Sequence, residues 1–277
     1  MKIIENNGTV REPVSKEEEL HVIRHSAAHV MAQAIKRLYP DAHFAYGPAT
    51  EKGFYYDVDL GSVKLADGDL DKIEAEMKKI VKENLSIKPF ILPREEAVKL
   101  MQERGEIYKV EHIADLPESE PISFYQQGEY IDMCVGPHVM YTKAVKAFKL
   151  TQVSGAYWKG DKSNKMLTRI NGIAFASQED LEAYVKLQEE AEKRDHNKIG
   201  RDLEYFTTVD LIGQGLPVLL PKGARVIQLL QRWVEDVEQE KGYELTKTPL
   251  FAKREFYKIS GHWDHYLDGM FVLGDPN

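Results

Sequence analysis

Residues 129–138 read EYIDMCVGPH and bring an acid, a thiol and an imidazole close together: Asp132, Cys134 and His138. Alternate residues of a strand share a face, so Asp132 and Cys134 are expected side by side. A turn at Gly136-Pro137 can carry His138 back beside them. His25 and His29 are four apart in IRHSAAH, a spacing that stacks both on one helix face. At about 100° per residue, that face points away from the apolar stripe of Leu20, Ile23, Ala27, Met31, Ala34 and Leu38. The pair is therefore expected in a cleft or in solvent, not in the core.

The two groups give His-x-x-x-His and Cys-x-x-x-His. Such a set suits a tetrahedral zinc ion, and it equally suits water activation and hydrogen bonding without a metal. Spacing alone does not separate these readings. HSAAH lacks the glutamate of a zinc-protease helix, which excludes that class. A buried cysteine beside a capping aspartate would account for Asp132 and Cys134 without any chemistry. In GFYYDVDL, Tyr56 shares a face with Phe54 and Val58 and reads as a core aromatic. Lys109 in GEIYKVEH reads as a strand lysine.

The elements that must hold these residues follow from periodicity and punctuation. A helix is predicted over 17–38, with Ser15 and Glu18 as a capping box and Pro40 as its stop. Strands are predicted over 43–46 and 53–60, with Gly47-Pro48 between them. Helices are predicted over 69–84 and over 94–104, the second closed by Gly105. From 128 to 175 the pattern is short strands with Gly-containing turns. Residues 177–201 read as one long charged helix with a weak stripe at Leu181, Tyr184 and Gln188, the kind that bridges domains. A second unit is predicted from Phe206, with a strand at LPVLL, a helix over 224–240 and a strand at Met270-Phe271-Val272-Leu273. Roughly seventy residues ending on one candidate strand, just before Asp275-Pro276-Asn277, are expected to be part of a larger domain.

The 277 residues, 43% apolar and 30% charged, suit a globular protein of one large or two modest domains. No apolar run reaches membrane-spanning length, the opening residues lack the pattern of a signal peptide, and a single cysteine suits the cytoplasm. The net charge of −8 argues against a general nucleic-acid binder. Its distribution is uneven, however. Lys143, Lys146, Lys149, Lys159, Lys162, Lys165 and Arg169 face only Asp161 between residues 139 and 175. They lie among Phe148, Tyr157 and Trp158, which could stack on bases; a solvated basic face is the plainer reading.

The blocks IRHSAAHVMAQAIKRLYP, YGPATEKGFYYDVDL, ERGEIYKV, EYIDMCVGPHV, GAYWKGDKSNKMLTRI and EKRDHNKIGRDLEYF resemble the bacterial threonyl-tRNA synthetases in order and spacing, from about Glu18 onward. KGYELTKTPL and SGHWDHYLDGMF resemble the opening of that family's class II catalytic domain, the first being similar to motif 1, which ends here at Pro249 and usually builds a dimer interface. The resemblance implies an α+β fold in four parts. Residues 1–17 would be an N-terminal tail. Residues 18–176 would be an editing domain of antiparallel sheet with packed helices. Residues 177–205 would be a linker helix, and 206–277 the N-terminal part of a class II domain. The family's usual ubiquitin-like opening domain is missing, as are motifs 2 and 3. CVGPH stands where the family often has CRGPH, and HSAAH where it has HSCAH, so Cys134 is the only thiol.

The resemblance also implies a reaction. A pocket built for threonine rejects serine weakly, because one methyl group is worth only about 1–3 kcal/mol, and a second hydrolytic sieve corrects the error. By resemblance, that sieve for seryl-tRNA comprises His25, His29, Lys109, Cys134 and His138 as catalytic groups, with Tyr56 and Asp132 binding substrate. Lys109 and a histidine would position or activate water, and the imidazoles would relay a proton to the leaving ribose hydroxyl. Asp132 would hold the α-amino group, and Cys134 and Tyr56 would wall off the threonine methyl. Attack by water is preferred over attack by Cys134. The implied partners are tRNA(Thr), through the seven basic residues above, and a second subunit in the full-length enzyme. No metal is expected in this chain; ATP, magnesium and a catalytic zinc would belong to the full-length enzyme. Two other readings compete: a zinc-dependent free-standing aminoacyl-tRNA deacylase with zinc at His25, His29, Cys134 and His138, and a non-catalytic tRNA-binding or dimerisation module.

Overall fold

The structure is a computed structural model that describes residues 1–118 and 120–274. The chain divides into two compact units, 1–192 and 193–277, each with its own contacts.

The first unit opens with β1 (Ile3–Ile4) and β2 (Val10–Arg11), followed by helix α1 (Lys16–Leu38). Strands β3 (His43–Phe44) and β4 (Phe54–Asp59) precede α2 (Leu70–Glu83). Strand β5 (Ile87–Leu92) leads into the helix pair α3 (Arg94–Glu103) and α4 (Ile107–Asp115). Then come β6 (Ile122–Gln127), β7 (Tyr130–Met133) and β8 (His138–Val139). The hairpin β9 (Ala147–Tyr157) and β10 (Met166–Phe175) and the helix α5 (Gln178–Lys193) complete it.

Three antiparallel sheets result, with strand orders β3-β4-β10-β9, β5-β6-β7 and β2-β1-β8. Helix α1 packs on β4, β10, β8 and α2. It is enclosed on nearly every side: Val22, Ile23, Ala27, Ala28, Val30, Met31, Ala32, Ala34 and Ile35 are all buried. Its small residues allow this close approach. The N-cap half of the predicted box is present, since Ser15 accepts from Glu18 N at 3.1 Å, but the Glu18 carboxylate turns to Val14 N and Arg11 instead of Ser15. The outer helix α2 caps on Asn84 in the left-handed region (φ 54°) and buries Leu70, Ile73, Met77 and Ile80, as its periodicity predicts.

Several expectations are corrected. Residues 1–17 are not a tail: β1 pairs with β8 in the register Ile3↔Val139 and Ile4↔His138, and Ile3 is fully buried. Lys109 lies in a helix, α4, because the left-handed Gly105 (φ 72°) reverses the chain and starts a new helix there. The strands over 128–175 are not all short; β9 and β10 form a long hairpin. The predicted continuous helix over 177–201 is broken. A second helix, α6 (His196–Asp202), begins in the second unit, where the Asp195 side chain accepts from Lys198 N at 2.8 Å and caps a new N-terminus.

The second unit continues with β11 (Phe206–Thr207) and β12 (Val218–Leu219), which pair, then α7 (Pro221–Glu240), α8 (Arg254–Ile259) and α9 (His262–His265). Pro221 at the first turn sets where α7 begins, three residues before the predicted start. Among the described residues, the expected strand at Met270–Leu273 belongs to no ladder, having no strand to pair with. The closing Asp275-Pro276-Asn277 lies outside the described residues.

Candidate active site

Four elements of the first unit converge on one pocket, lined by His25 and His29 from α1, Tyr56 from β4, Lys109 from α4, and Asp132 and Cys134 from β7 and its end. Helix α1 contributes two histidines to the pocket. His25 is half-buried, as a cleft residue would be, whereas His29 is only 1% exposed and is packed among other side chains, deeper than its position off the apolar stripe suggested. The centroid of His138 is 4.2 Å from that of His25 and 4.1 Å from that of His29.

The floor of the pocket is a buried polar cluster. Lys109 Nζ lies 2.7 Å from Asp132 Oδ1 and donates to the Tyr56 hydroxyl at 3.0 Å. The Tyr56 hydroxyl in turn donates to Asp132 Oδ2 at 2.5 Å, Tyr130 reaches the same oxygen at 3.4 Å, and Met133 N donates to Oδ1 at 2.8 Å. His29 Nε2 stands 3.5 Å from Oδ2. Tyr56 is thus both core aromatic and site residue: its ring meets Phe44 edge-on, while its hydroxyl bridges Lys109 and Asp132. Gly47 leaves the space for that ring, because a Cβ there would collide with it.

Burial controls the charges. It pushes the Asp132 carboxyl up, but Lys109 and His29, with hydrogen bonds from Lys109 and Tyr56, outweigh it and hold the group below its usual range. Burial pulls His25 down to about 3, reinforced by neighbouring His29, and His29 down to about 4. His138 is pushed well below the normal imidazole value for the same reason. The three rings are therefore neutral at pH 7. Burial and the Asp132 charge push the Cys134 thiol far up, so the sulfur carries no thiolate character.

His25, His29, Cys134 and His138 place one candidate ligand atom each within 4.8 Å of one another. By donor type they suit a tetrahedral zinc ion. The Nδ1 of His29 is buried without a partner among the described residues.

The basic stretch behaves differently from expectation. Lys159 pairs with Asp115, Lys165 with Asp59 at 2.6 Å, and Arg169 holds Asp57 through two contacts at 2.7 and 2.8 Å. Of these, Asp57 and Asp59 are buried, while Asp115, Lys159 and Lys165 remain exposed. Lys143, Lys146, Lys149 and Lys162 are exposed. Phe148 and Trp158, both 6% exposed, are core residues with no face for a base, and only Tyr157 is exposed. Sequence reasoning passed over Ser26, which touches His138, and Tyr46, His112 and His21, which also line the pocket. Ser26 was in view inside HSAAH, but nothing in its spacing singled it out.

Residues 122–171, from β6 into β10, match the family described as the threonyl and alanyl tRNA synthetase second additional domain. They contain Asp132, Cys134 and His138, whereas His25, His29, Tyr56 and Lys109 lie outside the matched residues. The whole chain has close relatives. It is 60% identical over 261 residues, 94% of its length, to the threonine–tRNA ligase of Clostridium perfringens strain SM101. It is 57% identical over 99% of its length to that of Clostridium botulinum strain Eklund 17B, and 54% identical over 92% to that of Geobacillus kaustophilus. The chain belongs to the threonyl-tRNA synthetase family, and it spans about two fifths of the length of these curated relatives, 40%, 43% and 39% respectively.

Proposed function

We propose that the first unit is the family's editing domain and hydrolyses the ester of seryl-tRNA(Thr). The observation that carries this reading is the convergence of neutral His25 and His29 with the Lys109–Asp132–Tyr56 cluster in one pocket. Water attacks the ester carbonyl, the bond to the terminal ribose oxygen breaks, and the water's proton passes to that oxygen. A neutral imidazole can accept the water's hydrogen bond, and His25, which lines the pocket, is the candidate. Lys109 supplies positive charge toward the oxyanion that develops on the carbonyl. Asp132 was expected to hold the α-amino group; with Lys109, Tyr56, Tyr130 and Met133 N already on its oxygens, orienting Lys109 and Tyr56 is the role this geometry favours. Tyr56 and Cys134 wall the pocket against the extra methyl of threonine.

In this reading residues 177–205 link the editing domain to the start of a class II catalytic domain. Threonine activation with ATP and magnesium, a synthetic-site zinc, tRNA charging and dimerisation belong to the longer protein. The exposed Lys143, Lys146, Lys149 and Lys162 are the candidate tRNA contacts.

The test is the deacylation of seryl-tRNA and threonyl-tRNA by the 277-residue chain, with and without a chelator. Seryl-tRNA hydrolysed much faster than threonyl-tRNA, unchanged by chelation, supports the proposal. Equal rates overturn the editing assignment, and loss on chelation turns the assignment to a zinc-dependent deacylase, with zinc held by His25, His29, Cys134 and His138.

A further inference from the structure

Ser26 follows His25 on α1 and is fully buried. Its hydroxyl oxygen lies 3.0 Å from Val139 N and 3.0 Å from His138 Nδ1. A backbone N–H can only donate, so the oxygen accepts from Val139. The hydroxyl hydrogen then needs an acceptor, and His138 Nδ1 is the one the geometry supplies. A neutral ring that accepts at Nδ1 carries its hydrogen on Nε2, and Nε2 lies 3.2 Å from Cys134 Sγ.

The opposite tautomer is worse by simple accounting. Ser26 would accept from both Val139 N and Nδ1, leaving its own hydrogen in a fully buried site with no acceptor. In the favoured tautomer the hydrogen left over is that of the thiol, a weak donor that tolerates this. The ring is held in place from other sides as well. The backbone of His138 pairs with Ile4 of β1, and the Tyr125 ring meets the imidazole at a centroid distance of 4.5 Å.

We propose that Ser26 is a positioning residue that fixes His138 in its Nε2-protonated tautomer, so that His138 donates to Cys134 Sγ and cannot remove the thiol's proton. The Cys134–His138 pair resembles a nucleophile–base dyad in composition, yet its hydrogen points the wrong way for one. The same hydrogen occupies the lone pair that Nε2 would offer a metal ion. His138 thereby holds Cys134 as a neutral wall of the pocket.

The tautomer can be read in the wild-type protein, without any substrate, by nitrogen-15 NMR of the His138 ring at pH 7. Protonation at Nε2 is expected, and protonation at Nδ1 overturns the proposal whether or not the protein edits tRNA. Ser26→Ala is expected to lose the single tautomer and to make Cys134 react faster with iodoacetamide. Ser26→Thr, which keeps the hydroxyl, should restore the tautomer and the slow alkylation. A Ser26→Ala protein that retains pure Nε2 protonation and wild-type alkylation overturns the role of Ser26. If that variant does not fold, the wild-type spectrum still decides the tautomer.

Discussion

Lys109 Nζ and Asp132 Oδ1 lie 2.7 Å apart, with side chains only 6% and 2% exposed, and form a buried ion pair between α4 and β7. Breaking such a pair from one side leaves an uncompensated buried charge and costs about 3–5 kcal/mol. Lys109→Ala is therefore expected to melt well below the wild type and to slow seryl-tRNA deacylation by roughly 10²-fold. Lys109→Met combined with Asp132→Leu should recover much of the stability and none of the activity. Denaturant melts and single-turnover deacylation separate the two effects, and full activity in Lys109→Ala would sink the role of this pair.

Tyr56→Phe keeps the ring that packs edge-on to Phe44 and removes the hydroxyl that links Lys109 to Asp132. The loss of hydrogen bonds to charged groups should cost about 1.5–3 kcal/mol in an equilibrium melt. A Tyr56→Phe variant as stable as the wild type would show that the hydroxyl bridge carries no net stabilisation.

Cys134→Ser tests which atom attacks. With the thiol pushed far up by burial and by Asp132, attack by water predicts that the serine variant keeps its seryl-tRNA deacylation rate within about 10-fold. A fall of several orders of magnitude, with the fold intact by circular dichroism, would assign the attack to sulfur.

Acid should unfold the first unit through its histidines. Their folded values, about 3 for His25 and about 4 for His29, lie below the ordinary 6.5. The unfolded chain therefore binds more protons between those limits. Stability is fully present above pH 6.5 and declines as pH falls, approaching about 1.4 kcal/mol per pH unit for each histidine. Asp132, held low in the fold, adds a loss of the same sign only below about pH 4. Urea melts from pH 8 to pH 4 check this, and His29→Gln should flatten the slope. A pH-independent midpoint would contradict neutral burial of the rings.

Five residues of the candidate site, His25, His29, Asp132, Cys134 and His138, were visible in the sequence because their spacings follow local geometry. The i, i+4 pair His25 and His29 needs only a helix, and Asp132, Cys134 and His138 need only a strand end and a Gly-Pro turn, with Gly136-Pro137 cis in the structure. The family match was legible for the same reason: blocks of local sequence survive in order. Lys109 and Tyr56 entered the expected site through that resemblance alone, since nothing in their neighbourhoods marks them.

What the tertiary structure decided are the relations between distant segments. Periodicity placed His29 off the core because one apolar stripe was counted, whereas β4, β10, β8 and α2 enclose α1 on several sides. Charge counting grouped seven basic residues into one face, and only the fold paired Lys159, Lys165 and Arg169 with carboxylates elsewhere in the chain. The opening residues looked like a tail because a two-residue strand has no periodicity of its own; it exists through its ladder with β8. Local spacing determines which side chains share a turn or a strand face. Which of them are buried together, and hence which are charged, depends on packing between segments far apart in the chain, as Ser26 and His138 are, 112 positions from one another.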